Sequence, residues 1–453
     1  MARREAPAAG PGSRALIVDV VRSSVAISRV ELAELTGLTQ PSISNIVRDL
    51  IADGIIHEVG SADSVLGRRR KLIAISPANR FGVGFNLGPD TVTCVAIDLT
   101  GGVVGREVVP RLPDEIWRAD RLAERFDAFT DGLALPRDRI EGLAIVMPAP
   151  GPGGADRPQP GGGQTQPGQA QPGQAPGAAG PGLSQGAGLG LPQAAAGLGL
   201  SQAAAGLGLS QAAAGLGDDS AEVRTELEKR LGVSVLVEND AAAAALGEFW
   251  SRRVSREQAF GCIYLSTGIG AGFVFGGALY RGASFGAGEL GHVSIDYAGR
   301  SCPCGNLGCV EQYASMRAIV LAAREHPGLR SRLPLDGSES SAYDAVARAA
   351  VNGDQDAYQV LDQAAERLSA AATSMVNLLD LGRLVLTGPG VARAGSIFAR
   401  RLRGHLERTA HSRRRHGVTV ELSAQPRDAA GIGAAALVVQ ASVAPGHTPG
   451  QTA

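Results

Sequence analysis

Residues 152–217 hold almost nothing that can build a core, and this limits every fold open to the chain. They are rich in Gly, Pro, Gln and Ala, and a nine-residue unit recurs at Leu191–Gly199, Leu200–Gly208 and Leu209–Gly217. Each unit has too few large apolar side chains to be buried as one turn of a solenoid, so the run reads as disordered low-complexity chain. A surface loop tolerates such an insertion, because closure entropy grows slowly with loop length. The foldable chain is therefore two pieces, with an α/β pattern on both sides of the run.

Of 453 residues, 44% are apolar, which allows a sizeable core spread over two or three domains. Residues 1–13 and 443–453 read as loose tails. Residues 14–78 read as three short helices and a hairpin, and residues 79–151 and 218–442 as two parts of one α/β domain. The chain shows no charged-then-apolar leader and no apolar run of the roughly 18 residues that would span a bilayer. These features predict a cytoplasmic protein with no membrane partner.

The N-terminal piece has the pattern of a DNA reader. Leu16, Ile17, Val20 and Val21 form one helical face. Ser28 and Glu31 are spaced as a capping box for a second helix that stops at Gly37. Thr39 caps a third helix, with Pro41 in its first turn. Ile43, Ile46, Val47 and Leu50 face inward on that helix, and Gln40, Ser42, Ser44, Asn45 and Arg48 outward. Gln and Asn can pair bidentately with adenine edges in the major groove. A strand over Ile55–Val59, then Arg68, Arg69, Arg70 and Lys71 leading into the strand Leu72–Ile75, make a wing whose cations suit phosphate. The chain's formal charge is −1, yet residues 1–80 hold eleven Lys+Arg against eight Asp+Glu, so the positive charge is local.

Three of the five cysteines crowd into Cys302-Pro-Cys304-Gly-Asn-Leu-Gly-Cys309, shortly after His292. One imidazole and three thiolates complete the tetrahedral shell of structural zinc, and no open position is left for catalysis.

The combination Glu289-Leu-Gly-His292, then Cys302-x-Cys304-Gly-x-x-Gly-Cys309-x-Glu311, resembles the signature of the ROK family of repressors, open reading frames and sugar kinases. The N-terminal segment resembles the winged helix-turn-helix of its repressor branch, which includes xylose and N-acetylglucosamine repressors. The resemblance implies a two-lobed actin- and hexokinase-like (ribonuclease H-like) α/β domain. It implies sugar contacts from Asn239, Asp240, Glu289, His292 and Glu311. Asp240 stands where family kinases keep the general base that takes a proton from the sugar hydroxyl.

The sequence departs from the kinase pattern where ATP phosphates would bind. Family kinases carry Asp-x-Gly-Gly-Thr after the first strand, and here the turn reads Asn86-Leu-Gly88-Pro89-Asp90. The metal-organising carboxylate is gone, Asp90 repels phosphate, and proline offers no N–H. The second phosphate turn, Ser266-Thr-Gly268-Ile-Gly270-Ala-Gly272, keeps its form, and Gly388-Pro-Gly390 matches the adenosine-side turn loosely. Ala242 stands where an asparagine is expected, and the insertion displaces a sugar loop after Pro148. The expectation is a repressor that binds a double-stranded operator as a homodimer or tetramer, answers to a sugar or sugar phosphate, and is not an enzyme. The alternative is a sugar kinase with a DNA-binding appendage.

Overall fold

The computed structural model describes residues 11–62, 70–112, 118–148, 218–252, 254, 259–283 and 285–443. The expectations for the 152–217 insertion, for Arg68 and Arg69, and for most of both tails lie outside these residues.

Three helices open the fold: α1 (Pro11–Ser23), α2 (Arg29–Thr36) and α3 (Gln40–Ala52). The first begins inside the stretch read as a tail, because proline is well placed in a first helical turn. The capping box forms, with the Ser28 N–H donating to Glu31 Oε2 at 2.8 Å and the Glu31 N–H donating to Ser28 Oγ at 3.3 Å. Gly37 closes α2 at a φ of 68°, a left-handed turn that favours glycine. Strands β1 (Ile27–Ser28), β2 (Ile56–Ala62) and β3 (Arg70–Ile75) form an antiparallel sheet with β3 in the middle. The two-residue β1 carries no local sequence signal; it exists because Ile27 pairs with Ile73 across the fold. Ile43, Val47 and Leu50 from α3 meet Ile17, Val21 and Leu32 in the core.

The rest of the chain is one plan used twice. Strands β4 (Phe81–Leu87), β5 (Thr91–Asp98), β6 (Val103–Pro110), β7 (Ile140–Met147) and β8 (Ser234–Asn239) lie in the order β6-β5-β4-β7-β8. Strands β9 (Phe260–Leu265), β10 (Ile269–Phe275), β11 (Ala278–Tyr280), β12 (Arg383–Thr387) and β13 (Thr419–Leu422) lie in the order β11-β10-β9-β12-β13. In each sheet three antiparallel strands lead into two parallel ones. Parallel pairing needs crossovers, supplied in the first lobe by α4 (Ala119–Gly132) and α5 (Asp218–Leu231), with α6 (Asp240–Ser251) following β8. In the second lobe α7 (Glu311–Ala314), α8 (Met316–Glu325), α9 (Pro327–Arg332), α10 (Glu339–Val351) and α11 (Gln355–Leu379) fill the first crossover. There α12 (Val391–Thr409) makes the second, and α13 (Ala429–Val443) follows β13. This duplication is the two-lobed, actin- and hexokinase-like architecture.

The lobes meet along α6 and α13. A side chain at Gly433 would collide with the Ala243 carbonyl, and one at Gly247 with the Ala429 carbonyl, so these helices cross with no side chain between them. The C-terminal ends of β8, β9 and β12 open into the cleft between the lobes. The N-terminal domain docks at the opposite end. The Arg14 Nε–H donates to the Val443 carbonyl at 3.3 Å, at the end of α13. The Arg22 guanidinium lies 4.6 Å from the Trp250 ring centroid, near the end of α6. No described helix is long and apolar enough to cross a membrane.

Candidate ligand cleft and metal cluster

β8 ends at Asn239, whose side-chain oxygen caps α6 by accepting from the Ala242 N–H at 3.0 Å. The next residue, Asp240, is buried at the head of that helix, with Oδ1 accepting from the Ala241 N–H at 2.8 Å. Burial pushes its carboxyl up to about 7; the Ala241 N–H opposes the rise and the charge of Glu289 adds to it. A cavity of about 310 Å³ brings together all five residues read as sugar contacts: Asn239, Asp240, Glu289, His292 and Glu311. Glu289 sits on the rim, and desolvation still raises its pKa, with His292 opposing and Glu311 reinforcing the shift. Glu311 is fixed by the phosphate-type turn, accepting from the Ile269 N–H at 2.9 Å. A Cβ at Gly268 would stand 2.7 Å from Glu311 Oε2 and one at Gly291 2.8 Å, so both glycines admit that carboxylate.

His292, Cys302, Cys304 and Cys309 converge beside this cavity, with all ligand atoms within 4.8 Å of one another. Cys302 Sγ is 3.5 Å from His292 Nδ1, and Cys304 Sγ is 3.6 Å from Cys309 Sγ. Ligands about 2.3 Å from a tetrahedral centre stand about 3.8 Å apart, so this donor set fits zinc. Gly305 and Gly308 adopt φ values of 91° and 68°, which lets the backbone wrap the cluster. Nδ1 turns to the thiols while the ring lines the cavity, so one imidazole serves both.

A second bay of about 360 Å³ adjoins the first and shares Asp240, Tyr264, Ser266 and Thr267 with it. It contains the altered turn Asn86, Gly88, Pro89 and Asp90. Asn86 Nδ2 donates to the Tyr264 hydroxyl at 3.4 Å, a buried contact between the two lobes. The two arginines of this bay are already paired: Arg106 with Asp428 at 2.6 Å and Arg427 with Asp344 at 3.0 Å.

In the N-terminal domain, Gln40, Asn45 and Arg48 are exposed along α3, while Ser42 and Ser44 are half-buried. Ser42 is partly used by the cap, its hydroxyl 2.9 Å from Thr39 Oγ1. Ile46 is only partly buried, unlike Ile43 and Val47. Arg70 and Lys71 are exposed at the start of β3, but the Lys71 ammonium pairs with Glu58 at 2.5 Å.

Three sets of residues escaped the sequence reading. Tyr264 gives no local signal. Glu238 and Arg281 form a buried ion pair at 2.6 Å that ties the lobes together behind Asn239, whose own N–H donates to Glu238 Oε1 at 3.0 Å. Arg22 and Trp250 lie 228 positions apart, and the guanidinium also donates to the Trp250 carbonyl at 3.3 Å. A signal for Arg22 existed: it falls on the same stripe as Ala15, Val18 and Val21, where a charge has no business without a partner.

Comparison with known proteins agrees with this geometry. A xylose repressor from Caldicellulosiruptor bescii is 23% identical over 432 residues, covering 94% of this chain and 95% of its own. A glucokinase from Halalkalibacterium halodurans is 34% identical over 223 residues, covering 48% of this chain and 67% of its own. Among solved structures, a ROK family transcriptional regulator described as a homolog of the E. coli MLC protein superposes with a TM-score of 0.65 at 22% identity. The match covers 96% of this chain and 98% of that one. The family model described as ROK matches residues 210–441, the half of the chain that carries Asp240, the cavity and the cysteine cluster, and the chain belongs to the ROK family.

Proposed function

We propose that this chain is a sugar-responsive, DNA-binding transcriptional repressor. One observation carries the reading: a single helix runs from the cavity to the N-terminal domain. α6 begins at Asp240 in the cavity and carries near its other end Trp250, on which Arg22 of the N-terminal domain stacks. A ligand that shifts the lobes about α6 thereby shifts the head. Gln40, Ser42, Ser44, Asn45 and Arg48 face base edges in this reading, and Arg68, Arg69, Arg70 and Lys71 face phosphate. Two heads of a homodimer take half-sites about one helical turn apart or a multiple of it, so a small change in their spacing releases the operator. The protein then works in the cytoplasm.

Asn239, Asp240, Glu289, His292 and Glu311 hold the sugar through its hydroxyls. Asp240, with its carboxyl near neutrality, accepts a hydroxyl hydrogen bond as the carboxylate and donates one when protonated. His292, Cys302, Cys304 and Cys309 would hold a zinc ion, whose contribution is to fix the sugar-facing loop. Phosphoryl transfer is disfavoured by the second bay. Asn86 offers no carboxylate for a metal and is turned to Tyr264, and Pro89 lacks an N–H.

The test is to select duplexes from a random pool with the full chain, then titrate sugars and sugar phosphates against the complex. One of them is expected to weaken binding by about 5- to 150-fold, the usual range of coupling between sites. Arg22→Ala is expected to keep DNA affinity and lose that response. A chain that binds no duplex fails the proposal. The glucokinase relative and the retained Asp240 favour one second reading, a sugar kinase with a DNA-binding appendage. Sugar-dependent ATP consumption that disappears in Asp240→Asn would establish it.

A further inference from the structure

A strongly basic stretch of the chain lies outside the N-terminal head. Residues 391–417 hold eight arginines and one acid, Glu407, a surplus of seven charges in 27 residues, against a surplus of three for residues 1–80. The eight come from α12 and from the turn that carries the chain into β13. Some are spent locally. Arg401 pairs with Asp362, Arg400 bonds Tyr358, the Arg403 Nε–H donates to the Val420 carbonyl at 2.9 Å, and the Arg413 Nη1–H donates to the Ala410 carbonyl at 2.8 Å. Arg408, Arg414 and Arg415 are exposed, and their guanidiniums have no hydrogen-bond or ion-pair partner among the described residues.

Their place in the fold says what they could meet. Thr419, the first residue of β13, aligns with Arg383 at the start of β12, which aligns with Phe260 at the start of β9. The turn bearing Arg413, Arg414 and Arg415 is therefore at the end of the second lobe away from the cleft. The head docks at that same end. Near the end of α13, where Arg14 holds the head, the Gln440 Nε2–H donates to the Gly277 carbonyl at 3.3 Å, in the turn after β10, whose Val274 aligns with Phe260 at the start of β9. The head's anchor and the basic turn thus lie at the same end of one sheet, where β9, β12 and β13 begin.

We propose that Arg408, Arg414 and Arg415 form a second, sequence-independent DNA contact, gripping backbone phosphates that flank the duplex read by the head. Exposed guanidiniums without acidic partners release counterions when they meet phosphate, and that release gives affinity without base readout. The inference rests on the head binding DNA, as proposed above.

The test compares the full chain with the variant Arg408→Ala/Arg414→Ala/Arg415→Ala on a duplex selected by the parent. The duplex is used trimmed to its site and extended by about two helical turns on each side. On the extended duplex the variant is expected to lose affinity about tenfold or more near 0.1 M salt. Its log–log salt slope is expected to flatten by up to about 2.7, or 0.9 per phosphate contact. On the trimmed duplex it is expected to match the parent, and the triple Arg→Lys variant is expected to restore most of the slope. A parent that binds duplex while the alanine variant keeps the parental slope on extended DNA overturns this proposal alone. A parent that binds no duplex overturns both it and the DNA-reading function. A variant that keeps DNA binding but loses binding to phosphatidylserine vesicles assigns the patch to a membrane surface and overturns the proposal as well.

Discussion

The two bays of the cleft share Asp240, Tyr264, Ser266 and Thr267, yet they have been kept to different standards. In one bay all five residues read as sugar contacts line the cavity, and its histidine is tied to a cysteine cluster. In the other bay Asn86, at the turn read as altered from the kinase pattern, is turned to Tyr264, and both arginines are paired with Asp428 and Asp344. A binding site for a polyanion needs free donors where its charge sits, whereas a site for a neutral polyol needs only fixed hydrogen-bonding groups. Under the proposed function, recognition and turnover are separated within one cleft: one bay would hold the sugar for sensing, while the other carries a buried contact between the lobes at Asn86 and Tyr264.

The largest way to break this contrast is at the cysteine cluster. Metal analysis of the purified chain is expected to find about one zinc per chain. Cys304→Ser/Cys309→Ser is expected to lose the metal and more than about 5 kcal/mol of stability, since ligation is coupled to folding. Full metal-free stability would mean that the sugar bay needs no staple. Next comes Asp240. Its carboxyl is raised from an ordinary 3.8 to about 7 by burial, so its contribution favours folding below pH 4 and is lost as pH rises through 7. Parental stability is expected to fall by about 4 kcal/mol from this group between those limits, and Asp240→Asn is expected to remove that slope in a denaturant-melt series.

A smaller effect sharpens the same contrast directly. The correct sugar at about 100 times its Kd is expected to stabilise the chain by roughly 2.7 kcal/mol, while Mg-ATP at millimolar concentration is expected to leave the melting temperature unchanged. An equal shift with ATP would show the second bay to be a working nucleotide site. Last, Tyr264→Phe removes one buried contact between the lobes and is expected to cost about 1 kcal/mol while leaving sugar affinity within a factor of a few.

What the sequence made legible was local or periodic. Ser28 and Glu31 announce a helix start because both partners of the cap lie within one turn. His292, Cys302, Cys304 and Cys309 announce a metal site because few chemistries need those atoms at that spacing. The α/β pattern announces crossovers, and the family signature supplies the lobes. Pairing at long range stayed hidden. Ile27 becomes a strand only because Ile73 lies beside it, and Lys71 reads as a free cation until Glu58 is found opposite it. The coupling of Arg22 to Trp250 joins positions whose separation no pattern encodes. Arg408, Arg414 and Arg415 could be counted in the sequence, but their position at the head's end of the molecule could not.

The bare crossing of α6 over α13 has a consequence for how such a protein can fail. Backbone rests on backbone at Gly247 and Gly433, so the two lobes share a fulcrum where these glycines leave no room for a side chain. The smallest possible change, a single methyl at either glycine, would meet backbone across the crossing, the Ala243 oxygen at Gly433 or the Ala429 oxygen at Gly247, and would wedge the jaws at one angle; under the proposed function such a chain would be deaf to sugar.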